Sequence, residues 1–425
     1  MKSWARRGRW PLAGTILAMA VGAAWAGEAN YQPYVVGERA AGMGGAVTAT
    51  ADGMDACFYN PAGLGRETRD SISVNGTLYG VRNSKTEDAS FPGEDLNVSE
   101  FATIPTGLSA IRKLRDGTSA AFSVFVPSQS SAREILAFPE RQHYYNYSQD
   151  EQTIYMGVSL GQAVGERLSL GASAFGVYQT ASELQNLYWG DYAYTYTANY
   201  KYSVMGVVGV AGAQYRFADE WAVGVAVSSP SATLAGDGSI QASEVLGDAD
   251  VADAGALYYE DLDADNGLPA QVRAGLGWRR EGVGSAEFDV VHHLSSRYDW
   301  MSGTADGEDV VIRQEREAVT DVQVGGEYVW RRKHPLRAGL FTSFSSAPDP
   351  DPAGQSTLGQ VDLYGATVSI GSIGENVVAN LGFSYVWGSG DALGNRLDEE
   401  GLLESVVTQT RESGLYAFAS TAYRF

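Results

Sequence analysis

Aromatic side chains supply the first stretch of this chain that could do chemistry. Trp189, Tyr192, Tyr194 and Tyr196 run on at a spacing of two into Tyr200 and Tyr202, and Tyr144, Tyr145 and Tyr147 form a second group after His143. Each ring offers a large apolar body with one polar tip. The chemistry is that of holding an apolar molecule, where each buried methylene contributes roughly 0.8 kcal/mol. Tyr200 and Tyr202 lie close to a predicted strand and read as an interfacial aromatic girdle. Tyr192, Tyr194 and Tyr196 lie farther out and, with Trp189, Tyr144, Tyr145 and Tyr147, are the candidates for ligand capture.

Polar clusters point to less. The run Asp261-Leu262-Asp263-Ala264-Asp265-Asn266-Gly267 begins like a calcium loop, but Val272 stands where the last carboxylate would be needed. The 231–268 stretch therefore reads as a solvated acidic loop, with Glu260, Asp261, Asp263 and Asp265 free to share divalent ions with lipopolysaccharide. His292 and His293 are strand neighbours and face opposite ways, so they cannot chelate one ion. Neither His143 nor His334 sits in a Ser/His/Asp pattern visible in sequence. Cys57 is the single cysteine and reads as a buried apolar filler. Gly42-Met43-Gly44-Gly45 has no preceding strand and no following lysine, so it does not match a phosphate loop. No enzyme, cofactor or metal site is expected. A net charge of −21 excludes a nucleic-acid partner, which needs a basic footprint.

Residues 37–65 are a different case. Gly42, Gly44 and Gly45 lower helix propensity, the alanines bury little area, and Asn60-Pro61 is a turn signal. Such a segment orders only inside a host, and the rest of the chain supplies one. Ile154, Met156, Val158 and Leu160 alternate with Tyr155, Gly157, Ser159 and Gly161; Val272, Ala274, Leu276 and Trp278 alternate with Arg273, Gly275 and Gly277. These are strands with one apolar and one polar, glycine-rich face. About fourteen such segments of about ten residues recur. Tight turns at 115–117, 164–166, 218–220, 281–283, 332–334 and 372–374 alternate with long polar connections at 83–102, 128–150, 181–198, 231–268, 296–315, 347–359 and 389–411. A soluble sandwich does not sort its loops by length; an outer-membrane β-barrel does, with short turns in the periplasm.

The fold expected is therefore all-β, a transmembrane antiparallel β-barrel of about fourteen strands. Residues 1–26 carry Lys2, Arg6, Arg7 and Arg9, an apolar run and Ala24-Trp25-Ala26, the layout of a secretory signal peptide. Residues 27–68 are expected to form a hatch plugging the lumen, and residues 69–425 the barrel. The last strand alternates through Leu415, Ala417, Ala419, Thr421 and Tyr423 to Phe425, an ending that the barrel assembly machinery reads. An even strand count places both termini in the periplasm. Lumen-facing Arg273, Glu287, Asp289, Glu327 and Arg337 need partners, and Glu38, Arg39, Asp52 and Asp55 of the hatch are available.

The segments R-A-A-G-M-G-G-A at 39–46, A-D-G-M-D-A at 51–56 and F-Y-N-P-A-G-L at 58–64 resemble the N-terminal hatch of the FadL/TodX family, outer-membrane transporters of long-chain fatty acids and aromatic hydrocarbons. Asn60, Pro61 and Ala62 are the most specific piece. Phe125-Val126-Pro127-Ser128 and the 336–341 and 346–349 stretches are also similar to that family. The resemblance implies a fourteen-stranded barrel closed by a hatch in which Arg39, Gly42, Gly44, Gly45, Asn60, Pro61 and Ala62 do the gating. It also implies capture of a hydrophobic small molecule among the outer loops and a sideways exit at an inward kink of the third strand. The third strand, read as 118–126, contains no glycine or proline; Pro105 and Gly107 on the strand before it would weaken the ladder locally.

The function expected is passive, plug-controlled transport of hydrophobic small molecules by a monomer set among outer-membrane lipids and lipopolysaccharide. A barrel serving as a surface binding or secretion partner, with acidic loops as the interface, and a water-filled porin are the competing readings.

Overall fold

The structure, a computed structural model, describes residues 29–425 except 92–93, 141, 191–192, 248–252, 306–307, 353–357 and 398–402. The proposed signal peptide, 1–26, and Tyr192 lie outside the described residues.

Among the described residues, eighteen strands form one antiparallel sheet. They are β1 (Ser71–Phe91), β2 (Glu94–Arg115), β3 (Thr118–Phe138), β4 (His143–Val164), β5 (Leu168–Trp189), β6 (Tyr194–Arg216), β7 (Trp221–Ser228), β8 (Ala232–Leu246), β9 (Asp253–Ala264), β10 (Gln271–Arg280), β11 (Gly284–His293), β12 (Ser296–Ala305), β13 (Glu308–Arg316), β14 (Val319–Trp330), β15 (His334–Ser343), β16 (Gln360–Ile373), β17 (Val377–Leu397) and β18 (Leu403–Arg424). Pairing of β1 with β18, from Ser71↔Arg424 to Thr86↔Thr410, closes the sheet on itself. Four of the eighteen form the hairpins β8–β9 and β12–β13, which stand on the ends of β7, β10, β11 and β14. The closed barrel therefore has fourteen strands, as the alternation predicts.

Strand length departs from expectation. β1 to β6, β17 and β18 run to 21–23 residues, about twice the predicted ten. Most of the stretches read as long polar loops, 231–268 among them, are paired hairpins that continue the wall. The period of two persists there, but the outward residues turn polar and hide it. Those outward positions carry cross-strand ion pairs, Lys85 with Asp95 at 2.6 Å, Arg313 with Asp299 at 2.9 Å and Arg411 with Glu87 at 3.2 Å. They mark a wall that faces water.

Nearer the short turns the outward face is apolar. Met156, Val158 and Leu160 of β4 all point out and are exposed, the arrangement of a lipid-facing band. Exposed Tyr215, Phe217, Trp221, Tyr328, Trp330 and Tyr423 ring the short-turn end. A second set, Tyr79, Tyr178, Tyr364, Tyr385 and Trp387, lies farther along the strands. An apolar band flanked by aromatic belts is about 25 Å tall in membrane barrels.

Candidate functional site: the occupied lumen

Residues 29–66 lie inside the barrel and are almost wholly buried. The segment makes a tight turn of 3-10 helix at Ala40–Met43, a short helix α1 (Gly53–Tyr59) and a second 3-10 helix at Pro61–Arg66. Gly44 ends the first turn at φ 63°, a left-handed conformation that favours glycine. Asn60 caps the last helix, its Oδ1 accepting from the Ala62 N–H at 3.2 Å, while Pro61 occupies the first helical position, where a missing N–H costs nothing. The Asn60 amide also donates to the carbonyls of Thr48 at 2.8 Å and, across the lumen wall, Ala213 at 3.1 Å. The asparagine thus ties two hatch turns to the barrel.

The glycine-rich inner face has a steric cause. A Cβ on Gly171 would overlap the Pro61 backbone, one on Gly161 would overlap Leu64 and Gly65, and one on Gly339 would overlap Met43 and Gly44. Hatch backbone and wall backbone meet at these glycines, where no side chain fits between them.

Wall carboxylates hold the rest. Asp289 accepts from the N–H groups of Val47 and Thr48, each at 2.9 Å, and from the Thr48 hydroxyl at 2.7 Å; Glu287 accepts from the Ala49 N–H and the Thr50 hydroxyl. The partners expected across this interface were charged side chains, and the partners of these two carboxylates are main-chain donors that would otherwise be buried without a bond. Arg39 stays within the hatch for most of its bonds, donating to the Thr50 carbonyl at 2.6 Å and approaching Asp52 to 3.5 Å; it reaches the wall at Ser285, 3.3 Å away. Among the described residues, Asp52 and Arg279 form an ion pair between hatch and wall, at 2.7 Å. Arg279 continues the inward alternation of Arg273, Gly275 and Gly277, a signal already present in sequence. Glu327 and Arg337 pair with each other at 2.7 Å on the wall.

Asp55 accepts from the N–H groups of Glu38, Arg39 and Ala40 at 2.6–2.9 Å and organises the first turn. Gly42 and Gly44 clasp Thr367 of β16, whose hydroxyl donates to the Gly42 carbonyl and accepts from the Gly44 N–H, both at 3.0 Å. Gly45 turns at φ 84° against Gln323. Burial, with the Asp55 carboxylate beside it, pushes the Glu38 carboxyl up to about 7. Burial would also raise Asp52, but the guanidinium groups of Arg279 and Arg39 outweigh it and hold that carboxyl well below its ordinary range. Burial pushes the Cys57 thiol up to about 12, which makes it the inert filler expected.

Beside the hatch lies a cavity of about 160 Å³. Phe58 of α1, Tyr155, Phe175 and Val208 give it apolar surface, Glu151, Thr153 and Gln179 line it from β4 and β5, and Gln271, Arg273 and His293 line it from β10 and β11. Pro127 and Ser128 of β3 also line it, and at that point the barrel wall is irregular. The β3–β4 register shifts between Phe125 and Ser128, and β2 pairs with β3 only from Gly107↔Phe125 toward the short turns. Beyond Phe125, β3 is hydrogen-bonded to β4 alone among the described residues. The third strand does contain a proline; reading its end at Val126 placed Pro127 in a loop. Tyr34 of the hatch lies against this break, its hydroxyl 3.5 Å from the Val126 carbonyl. A wider cavity of about 810 Å³ opens below the hatch toward the short turns, with Asp52, Glu67 and Arg279 among its walls.

The capture candidates occupy the other end of the barrel. Tyr145, Tyr147, Trp189, Tyr194 and Tyr196 are buried and point inward, packed with Ile240, Trp300 and Met301 in a second core. Tyr144 points outward and is exposed. Tyr200 is buried as well and is no part of a lipid-facing girdle; its hydroxyl donates to Glu183 at 2.8 Å. Glu183, buried among these rings and bonded also by Tyr147 at 3.3 Å, was missed because it lies in a stretch read as loop.

The fold and its filled lumen define a transmembrane β-barrel with an internal N-terminal segment. That fold is the one found in FadL- and TodX-type channels. A Pseudomonas aeruginosa FadL homologue matches 93% of this chain and 100% of its own at a TM-score of 0.67 and 14% identity. The Pseudomonas putida toluene transporter TodX matches 92% of this chain and 98% of its own at 0.65 and 15%. The Ralstonia pickettii toluene transporter TbuX matches 94% and 99% at 0.61 and 16%. No protein-family model and no curated protein matches the sequence.

Proposed function

We propose that the chain carries hydrophobic small molecules across the outer membrane by passive diffusion, under the control of the hatch at residues 27–68. Residues 1–26 are removed on export, and both termini lie in the periplasm. The observation that carries the reading is the cavity beside the hatch, which reaches the barrel wall where the β2–β3 pairing stops. A molecule in that cavity has the hatch on one side and an unpaired stretch of wall on the other, so a sideways exit there avoids crossing the plugged lumen. The toluene transporters TodX and TbuX share the fold, which agrees with this reading. Tyr145, Tyr147, Trp189, Tyr194 and Tyr196 would take up ligand at the water-facing end, a step that requires their packed core to open. The protein acts as a monomer, with lipids and lipopolysaccharide around it and the assembly machinery as its partner in biogenesis.

The test is uptake of labelled toluene, benzoate and palmitate by cells expressing the full chain, set beside planar-bilayer recordings. Uptake of at least one compound above the vector control, with little ion conductance, is expected. Steady conductance without uptake of any of the three would make the protein a porin and end this reading.

A further inference from the structure

The cavity beside the hatch holds more polar capacity than a hydrocarbon could use. Arg273 lines it and is buried. A guanidinium has five N–H donors. Three are taken by side-chain amides: Nη2 by Gln32 at 3.0 Å, Nε by Gln271 at 3.2 Å and Nη1 by Gln323 at 3.5 Å. One N–H on each terminal nitrogen is left without a partner among the described residues. Arg273 pairs with no carboxylate there. Asp289 binds the hatch through Oδ2, leaving Oδ1 without a hydrogen bond among the described residues, and Asp321 accepts from the Thr342 hydroxyl at 3.0 Å and the Phe344 N–H at 2.8 Å. A buried cation held by three neutral amides and by the Tyr59 ring, whose centroid is 5.0 Å from the guanidinium carbon, is costly unless an anion joins it.

Other lining atoms share the deficit. The Asn266 amide nitrogen, the His293 Nδ1 and the Tyr31 hydroxyl are buried and have no hydrogen-bond partner among the described residues. His293 stacks on Tyr31 with ring centroids 4.3 Å apart, which fixes both on the polar side. Buried groups of this kind are rarely left unsatisfied without a reason. Phe58, Phe175, Val208 and the ring of Tyr155 supply ring and aliphatic surface, with Thr153, Gln179 and the carboxylate of Glu151, which accepts from the Gln179 amide at 3.2 Å, farther along the same strands.

Size narrows the ligand further. A cavity near 150 Å³ takes one benzene-sized ring, and this one measures about 160 Å³. A long acyl chain would leave most of its length outside. Resting on the transport reading above, we infer that the cavity selects small aromatic carboxylates, with the ring against Phe175 and Val208 and the carboxylate at Arg273. The two free terminal N–H groups then have an acceptor, and bonds of this charge-assisted type are the stronger kind.

The experiment is titration calorimetry on the full chain in mild detergent with sodium benzoate and, separately, toluene. Benzoate is expected to bind more tightly than toluene. Arg273→Gln should weaken benzoate by roughly tenfold or more and leave toluene unchanged or improved, while Arg273→Lys restores part of the benzoate affinity. Heat-modifiable migration on gels checks that each variant is a folded barrel. Should Arg273→Gln fail that check, Val208→Trp, which fills the apolar end without removing charge, is expected to abolish benzoate binding. Toluene binding as tightly as benzoate, or benzoate binding unaltered in either folded variant, would overturn the inference. Uptake of toluene or palmitate without benzoate would refute the selectivity and leave transport standing; uptake of none removes both.

Discussion

The two halves of the lumen are closed by different physics. Near the short turns the filling is a backbone segment, and the wall answers it with glycines and carboxylates that meet main-chain donors. At the hairpin end the filling is side chains, with Trp300, Tyr196 and Ile240 packed around one buried carboxylate, Glu183. The first closure depends on directional bonds that fail if one partner shifts. The second depends on area, which is non-directional and tolerates rearrangement. In the proposed transport, a plug that moves is better held by a few bonds broken together, and a gate that admits apolar molecules is better built from rings that can repack around them.

Breaking the hatch bonds should have the largest effect. Replacing Glu287 and Asp289 together by alanine orphans the N–H groups of Val47, Thr48 and Ala49, at about 1–3 kcal/mol for each. Steady conductance in planar bilayers is expected, with the barrel still heat-modifiable. A silent, fully closed double variant would show that the glycine contacts alone seat the hatch.

Trp300→Ala strikes the other closure. Large-to-small substitution at a buried tryptophan costs about 3–5 kcal/mol. Thermal melting should fall while the resting conductance stays near wild type, because the hatch still blocks the lumen. Conductance equal to that of the double carboxylate variant would mean the two closures are one cooperative unit.

The smallest effect is that of pH. Glu38 has an ordinary value of 4.5 and is raised to about 7 in the folded hatch, so its contribution is complete below 4.5 and is lost as pH rises through 7. Glu67, raised to about 6 by burial, acts in the same direction. Brief channel openings should become more frequent between pH 4.5 and 8, and Glu38→Gln should flatten part of that rise. Openings that grow rarer with rising pH would contradict this sign.

Much of this was legible in the sequence because lipid enforces alternation. Met156, Val158 and Leu160 must be apolar where they touch lipid, and Gly161 and Gly171 must be small where the hatch touches them, so both faces of the barrel leave a written trace. The trace fades beyond the apolar band. There the outward residues are polar, and strands such as the far half of β5 read as loops although Leu187 and Trp189 still alternate inward. Asn60-Pro61 was recognisable as a turn because its capping is local. The cavity was not, since Tyr31, Asn266, Arg273 and His293 meet only in three dimensions, and Pro127 was hidden because β3, which runs to Phe138, reads from sequence as ending at Val126.

The pairing of Ser71 with Arg424 has a consequence for assembly. It joins the first strand to the last, the longest-range contact in the sheet, and loop-closure entropy places such contacts late. The hatch directly precedes β1, so the chain that fills the lumen enters the wall at the same seam that closes the barrel.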